Sequence, residues 1–161
     1  DESMENALVS GIAFQKDQIK FTLHGVGDIP GTAFKILGPI SDAEIEVDVI
    51  VQNVSVDGKT DFTFTVSSED QETVIRVLES IKKEVDYREL IVDSNIAKVS
   101  LVGAGMRSQA GVASKAFKAL SENNVNIQII CTSEIKITMV IDKELIDKTI
   151  AVLHKEFELD K

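Results

Sequence analysis

Apolar and polar residues alternate along Ile19-Lys20-Phe21-Thr22-Leu23, a period of two that predicts a strand with one buried face. Ala7 to Phe14 predicts an earlier strand, with Lys16-Asp17-Gln18 as the turn between them. From about Pro30 to Asp42 the period lengthens to that of a helix, with Ala33, Phe34, Ile36, Leu37 and Ile40 on its inner side. Proline suits a first helical turn because its missing N–H would be unpaired there anyway, and Asp28 stands where a cap is expected. Gly38-Pro39 conflicts with this helix and predicts a kink or an early end. Val47 to Val54 is almost continuously β-branched and predicts a central strand. Val56-Asp57-Gly58-Lys59 supplies a hairpin turn into Thr60 to Val66, where Phe62, Phe64 and Val66 share a face. Glu69 to Val85 predicts a helix with Val74, Val77, Leu78 and Ile81 inward and Ser67, Ser68 or Glu69 as caps, and Tyr87 to Val92 a further strand. This unit reads β-α-β-β-α-β, a ferredoxin-like order.

The pattern then repeats. A shift of 80 positions (111 − 31) lays Gly31 on Gly111, Ala33 on Ala113, Lys35 on Lys115, Ser41 on Ser121, Ile45 on Val125 and Ile50 on Ile130. After a shorter loop the shift becomes 75 (137 − 62) and lays Phe62, Phe64 and Val66 on Ile137, Met139 and Ile141. Agreement of period, order and glycine placement points to a duplication. The second unit reads as a strand from Ala97 to Val102, a helix over 109–122, strands over 126–132 and 136–141, and a helix over 143–157. It lacks a fourth strand, and the first unit has a spare one in front. The economical expectation is an α+β chain of two ferredoxin-like βαββαβ domains with the first inserted within the second: residues 15–94 form one, and 95–161 with the N-terminal strand 5–14 form the other.

Composition narrows the function classes. Hydrophobic residues make up 43% of the 161 and charged residues 27%, ordinary values for a globular chain. The net charge of −10 argues against nucleic acid or an anionic membrane as a partner, since both attract basic faces. No apolar run approaches a membrane span and no leader is visible. The lone Cys131 suits a reducing, cytoplasmic setting and reads as a small core residue. His24 and His154 have no companions at metal-ligand spacing, so no metal, cofactor or catalytic residue is expected. Val102-Gly103-Ala104-Gly105 lacks the third glycine of a dinucleotide-binding turn, because position 108 is Ser, and reads as a tight strand-to-helix turn.

One constellation carries chemistry. The helix start at Pro30 and Gly31 leaves free N–H groups uncovered, a ready place for a carboxylate. Polar residues follow on or near the next strand: Asp48, Gln52, Asn53 and Ser55 in the first unit, and Asn124, Asn126, Thr132, Ser133 and Glu134 in the second. Amides and carboxylates there could hold an ammonium group, which together describes an α-amino-acid pocket. The plainer alternative is that Asn and Ser here cap turns.

Several longer stretches carry a resemblance. They are Val9-Ser10-Gly11-Ile12-Ala13, Asp28-Ile29-Pro30-Gly31, Val51-Gln52-Asn53-Val54-Ser55, Lys98-Val99-Ser100-Leu101-Val102-Gly103-Ala104-Gly105-Met106, and Cys131-Thr132-Ser133-Glu134-Ile135-Lys136-Ile137. Through them nearly all of the chain resembles the regulatory region of the aspartate kinases, a tandem pair of ACT domains. The resemblance implies feedback control by threonine, lysine or both, bound where ACT domains pair in a homodimer. It implies that Asp28, Gly31, Ala33, Asp48, Gln52, Asn124, Asn126 and Ile127 line one kind of site. Ser55, Gly111, Val112, Ser133 and Glu134 would lie near the symmetry-related kind. Ala110 and Ala113 depart from the family pattern at the second pocket. The kinase domain lies outside this sequence, so the chain by itself is expected to be no enzyme and to act on a catalytic subunit. Two origins stay open, a small subunit beginning at Met4 and a piece of a longer enzyme. The alternative is a stand-alone ACT-type amino-acid sensor dimer that controls a different partner.

Overall fold

A computed structural model describes residues 9–27, 29–54, 57–103 and 109–159. The chain divides into two compact units, one formed by Asp17–Ser94 and the other by Asp1–Lys16 with Asn95–Lys161.

In Asp17–Ser94, strand β1 (Gly11–Gly27) enters from residue 17 onward, followed by helix α1 (Thr32–Asp42), strands β2 (Ile50–Val54) and β3 (Lys59–Ser67), and helices α2 (Gln71–Ser80) and α3 (Lys82–Val85). Strand β4 (Glu89–Val102) begins in this unit. The order is β2-β3-β1-β4, with β3 antiparallel to both β2 and β1. The alternating positions named from the sequence fill the core: Ile19, Phe21, Leu23, Phe62, Phe64 and Val66 meet Ile36, Ile40, Val74 and Leu78. Phe21 and Phe64 stack at 5.5 Å. Truncating either ring to Ala costs roughly 3–5 kcal/mol, the usual range for a buried aromatic.

In the other unit the order is β1-β4-β6-β5, with β5 (Ile127–Thr132) and β6 (Lys136–Asp142) joined by a hairpin. Helices α4 (Gln109–Glu122) and α5 (Ile146–Glu156) supply Val112, Ala116, Leu120 and Leu153 to a core with Val99, Leu101, Ile137 and Met139. Val9 is buried in that core, and the Ser10 amide donates to the Val102 carbonyl at 2.7 Å. The duplication reaches the backbone angles. Glu44 and Asn124, 80 positions apart, end α1 and α4 in the left-handed region at φ 61 and φ 60. Ile45 and Val125 then donate to the Ile40 and Leu120 carbonyls, the long return bond of a Schellman ending.

Six expectations are corrected. Residues 11–27 form one strand, without a turn at Lys16-Asp17-Gln18, and residues 89–102 form another. Neither polar stretch contains the Asn-Gly, Asp-Gly or Gly-X pair of the favoured two-residue hairpin turns. Helix α1 runs through Pro39 to Asp42, so the early end that Gly38-Pro39 allowed does not occur. Gly38 before it has no Cβ to collide with the pyrrolidine ring, which removes part of the penalty. Phe34 is 78% exposed, with its ring in the space over Gly38. Strand β2 is an edge strand with Val54 62% exposed, although its β-branched run suggested a central place. The helix expected over 69–85 breaks at Ile81 and begins only after a 3-10 turn, with no side-chain cap.

Candidate functional site

Strand β1 ends at Gly27, and Ile29-Pro30-Gly31 delivers the chain into α1. The Thr32 amide donates to the Ile29 carbonyl at 3.2 Å, closing a turn with Pro30 and Gly31 at its centre. Gly31 stands at φ 92, ψ −5, the third-position geometry of a type II turn, which favours glycine because a Cβ is strained there. The Thr32 hydroxyl is engaged with the Ile29 and Gly27 carbonyls at 2.8 and 3.3 Å. Gly31, not Asp28, is therefore the N-cap residue, and no side chain among the described residues caps the helix. Asp28 itself lies outside the described residues, as does Ser55.

The helix has no acidic residue in its first turn. Lys35 donates to the Gly31 carbonyl at 3.0 Å, and the Ala33 and Phe34 amides have no backbone acceptor among the described residues. Free N–H groups and the aligned peptide dipoles make this end partially positive. A cavity of about 380 Å³ opens at this point, lined by Ile29, Pro30, Gly31, Thr32, Ala33 and Gln52. Gln52 pairs with Phe62 in the β2–β3 register, so it shares the face on which the phenylalanines meet the helices. One wall thus offers amide donors suited to a carboxylate. The other offers a neutral carboxamide that both donates and accepts. None of the lining residues is charged.

Of the residues named from the sequence, Pro30, Gly31, Ala33 and Gln52 come together here. Asp48 and Asn53 are exposed and do not line the cavity. Asn53 points to the opposite face of β2 from Gln52, beside Asp61 of β3. In the other unit, Asn124 and Asn126 flank the start of β5, whereas Ser133 and Glu134 follow its end. Six extended residues span about 20 Å, so that polar set is not one cluster within the unit. Val112 is fully buried, Ile127 half-buried against the same core, and Gly111 is the third residue of α4 rather than its cap. Residues 104–108, before that helix, lie outside the description. Sequence reasoning missed Ile29 as a lining residue. Its signal was an exposed apolar side chain directly before Pro30.

Comparison with known proteins agrees with this architecture. ACT-domain families match residues 23–86 and 99–157, one in each half of the duplication. An aspartate kinase of Stutzerimonas stutzeri is 56% identical over 99% of this chain, and an aspartokinase of Helicobacter pylori 44% identical over the same share. The chain spans 39% of the length of each of these relatives. Among solved structures, a chain from aspartokinase alpha and beta subunits superposes with a TM-score of 0.87 at 45% identity, covering 93% of this chain and 99% of that one. The regulatory subunit of aspartate kinase from Thermus thermophilus superposes with a TM-score of 0.85 at 33% identity, covering 92% and 99%. The cavity at the start of α1 therefore lies in one of two ACT domains, and the chain belongs to the aspartate kinase family as its tandem ACT-domain regulatory region.

Proposed function

We propose that the cavity between the start of α1 and Gln52 binds a free α-amino acid, threonine first, and that this binding sets the activity of an aspartate kinase catalytic part. The observation that carries the reading is the pairing, in one cavity of about 380 Å³, of an uncapped helix start with a neutral amide. The helix start receives the carboxylate. Gln52 answers a hydroxyl better than a second cation, which favours threonine here. Lysine stays open at the second kind of site, where Glu134 offers an additional carboxylate next to Ser133 in the sequence.

The same reading includes a homodimer. Strand β2 lies at the edge of its sheet and exposes Ile50 and Val54 on the face that carries Gln52. Exposed apolar edges of this kind need covering. A second copy seated there would close the cavity, and ligand would then stabilise the dimer by mass action. The inserted arrangement, 15–94 within 95–161 plus 5–14, is part of the proposal and is supported by the Ser10–Val102 bond and buried Val9. No helix among the described residues is long and apolar enough to cross a membrane. A cytoplasmic location follows from the proposed role.

Calorimetric titration with threonine and lysine, singly and together, tests the reading. Threonine should bind the parent chain, and Gln52→Ala should weaken it by about 1–3 kcal/mol, the cost of leaving a buried polar partner unpaired. Folding should be unchanged, because Gln52 is exposed without ligand. Absence of binding by either amino acid would refute it.

A further inference from the structure

Strand β1 carries a bulge just ahead of the cavity. Leu23 pairs with Phe62 and Val26 with Thr60, so His24 and Gly25 together oppose the single residue Asp61. Gly25 stands at φ +68. The Asp61 carboxylate engages both bulge residues through one oxygen. His24 Nδ1 is 2.7 Å away, and the Gly25 amide donates at 3.3 Å. Those bonds hold the Asp61 carboxyl below the usual carboxylate range, the His24 bond foremost, with burial pulling the other way and Arg88 helping. The Arg88 amide donates to the His24 carbonyl at 2.8 Å, and its guanidinium packs where a Cβ on Gly25 would lie. Asp61 from β3 and Arg88 from the segment before β4 are thus the charged groups facing the bulge, with Lys59 opposite Gly27.

Bulges re-aim the chain beside functional sites. Two residues after this one, the Gly27 carbonyl accepts both the Ile29 amide, at 3.0 Å, and the Thr32 hydroxyl. We propose that Asp61 and His24 are positioning residues for the cavity: by clamping the β1 bulge they fix Gly27, and through Gly27 the Ile29–Thr32 turn that forms the cavity wall. The ligand part of this inference rests on the amino-acid reading above. A charge-assisted bond is roughly twice as strong as a neutral one, so loss of the imidazolium charge should loosen the clamp.

The test is NMR of the isotope-labelled, unliganded chain from pH 5 to 8. The amide signals of Gly27, Gly31, Thr32 and Ala33 should follow the same titration curve as the His24 ring, while those of α2 stay still. Asp61→Asn should abolish that response at the turn, and Asp61→Glu should restore at least half of its amplitude. Turn amides that ignore the His24 ring, or respond alike in the parent and Asp61→Asn, would overturn the proposal. In a second arm, threonine and lysine are titrated into both proteins at pH 6, with about a tenfold loss of affinity expected in Asp61→Asn. If the turn follows His24 yet neither amino acid binds the parent, the positioning role stands and the amino-acid reading falls. If an amino acid binds the parent and Asp61→Asn equally tightly, the positioning role falls and the amino-acid reading stands.

Discussion

Gly31→Ala separates the backbone demand of the turn from the ligand chemistry of the cavity. Gly31 stands at φ +92, and a Cβ there would meet no atom within 4 Å. The cost to folding is therefore conformational, with no clash to relieve. Left-handed geometry disfavours an L-residue by roughly 1–2 kcal/mol. The stiffer unfolded chain of Ala offsets about 0.4–1 kcal/mol of that. A net loss of about 1 kcal/mol lowers Tm by roughly 2–4 °C if the whole chain melts together, and by about 4–8 °C if Asp17–Ser94 melts alone. Gly58 supplies the control. It stands at φ +77 in the β2–β3 hairpin, also with open space around its Cβ position, and it does not line the cavity. Gly58→Ala should cost the same in calorimetric stability. Only Gly31→Ala should weaken threonine binding, by tenfold or more, because it adds a methyl to a residue that lines the cavity. Equal threonine affinity in both variants would refute the placement of the carboxylate, and unchanged stability in both would refute the conformational argument.

Two further outcomes concern stability. Burial raises the Tyr87 phenol above its ordinary range, with the negative charge of Glu79 adding to it, and the hydroxyl donates to the Leu78 carbonyl at 3.1 Å. The folded chain therefore holds that proton more tightly than the unfolded chain. Its contribution is full below about pH 10 and is lost as pH rises through the folded-state value, so urea titrations should show Tyr87→Phe losing less stability than the parent above pH 10. Glu44 occupies φ 61 at the position where the second unit has Asn124. Glu44→Asn should raise stability by about 0.5–1 kcal/mol in urea, since Asn tolerates the left-handed region better, and a loss would contradict the strain.

Periodicity carried most of the fold. Phe62, Phe64 and Val66 in β3 and Val74 and Leu78 in α2 are buried as their spacing requires, because a strand or helix with one apolar stripe has one way to hide it. The two long strands were not legible in the same way. Polar residues at 15–18 and 93–95 interrupt the apolar pattern, and pattern alone treats an interruption as a turn. A two-residue hairpin turn also favours an Asn-Gly, Asp-Gly or Gly-X pair, and neither stretch supplies one. Phe34 and β2 failed for the opposite reason, since apolar character reports that a residue can be covered without saying by what. At the site, Gly31 and Gln52 were legible because each has a specific chemical use. The Asp61–His24 clamp was not, because it depends on a bulge, and a bulge places two residues opposite one only after the register is known.

The duplication makes Gly31 and Gly111 equivalents in sequence, but their backbones differ. Gly31 caps its helix in the left-handed region, and the Ala33 and Phe34 amides have no backbone acceptor among the described residues. Gly111 lies inside α4, two residues after its first residue, and is not among the positive-φ glycines. Relative to the glycine, α4 starts three residues earlier than α1, which moves its first-turn amides away from the glycine. On the proposed reading, an anionic group in the first unit is met at the glycine itself, across the cavity from Gln52. In the second unit, the equivalent strand position is Thr132, and the helix start lies ahead of Gly111. The two units keep one fold and one core pattern while their helices start at different places relative to the glycine. On the proposed reading, that difference is what would allow one copy to hold one ligand and the second to hold another or none.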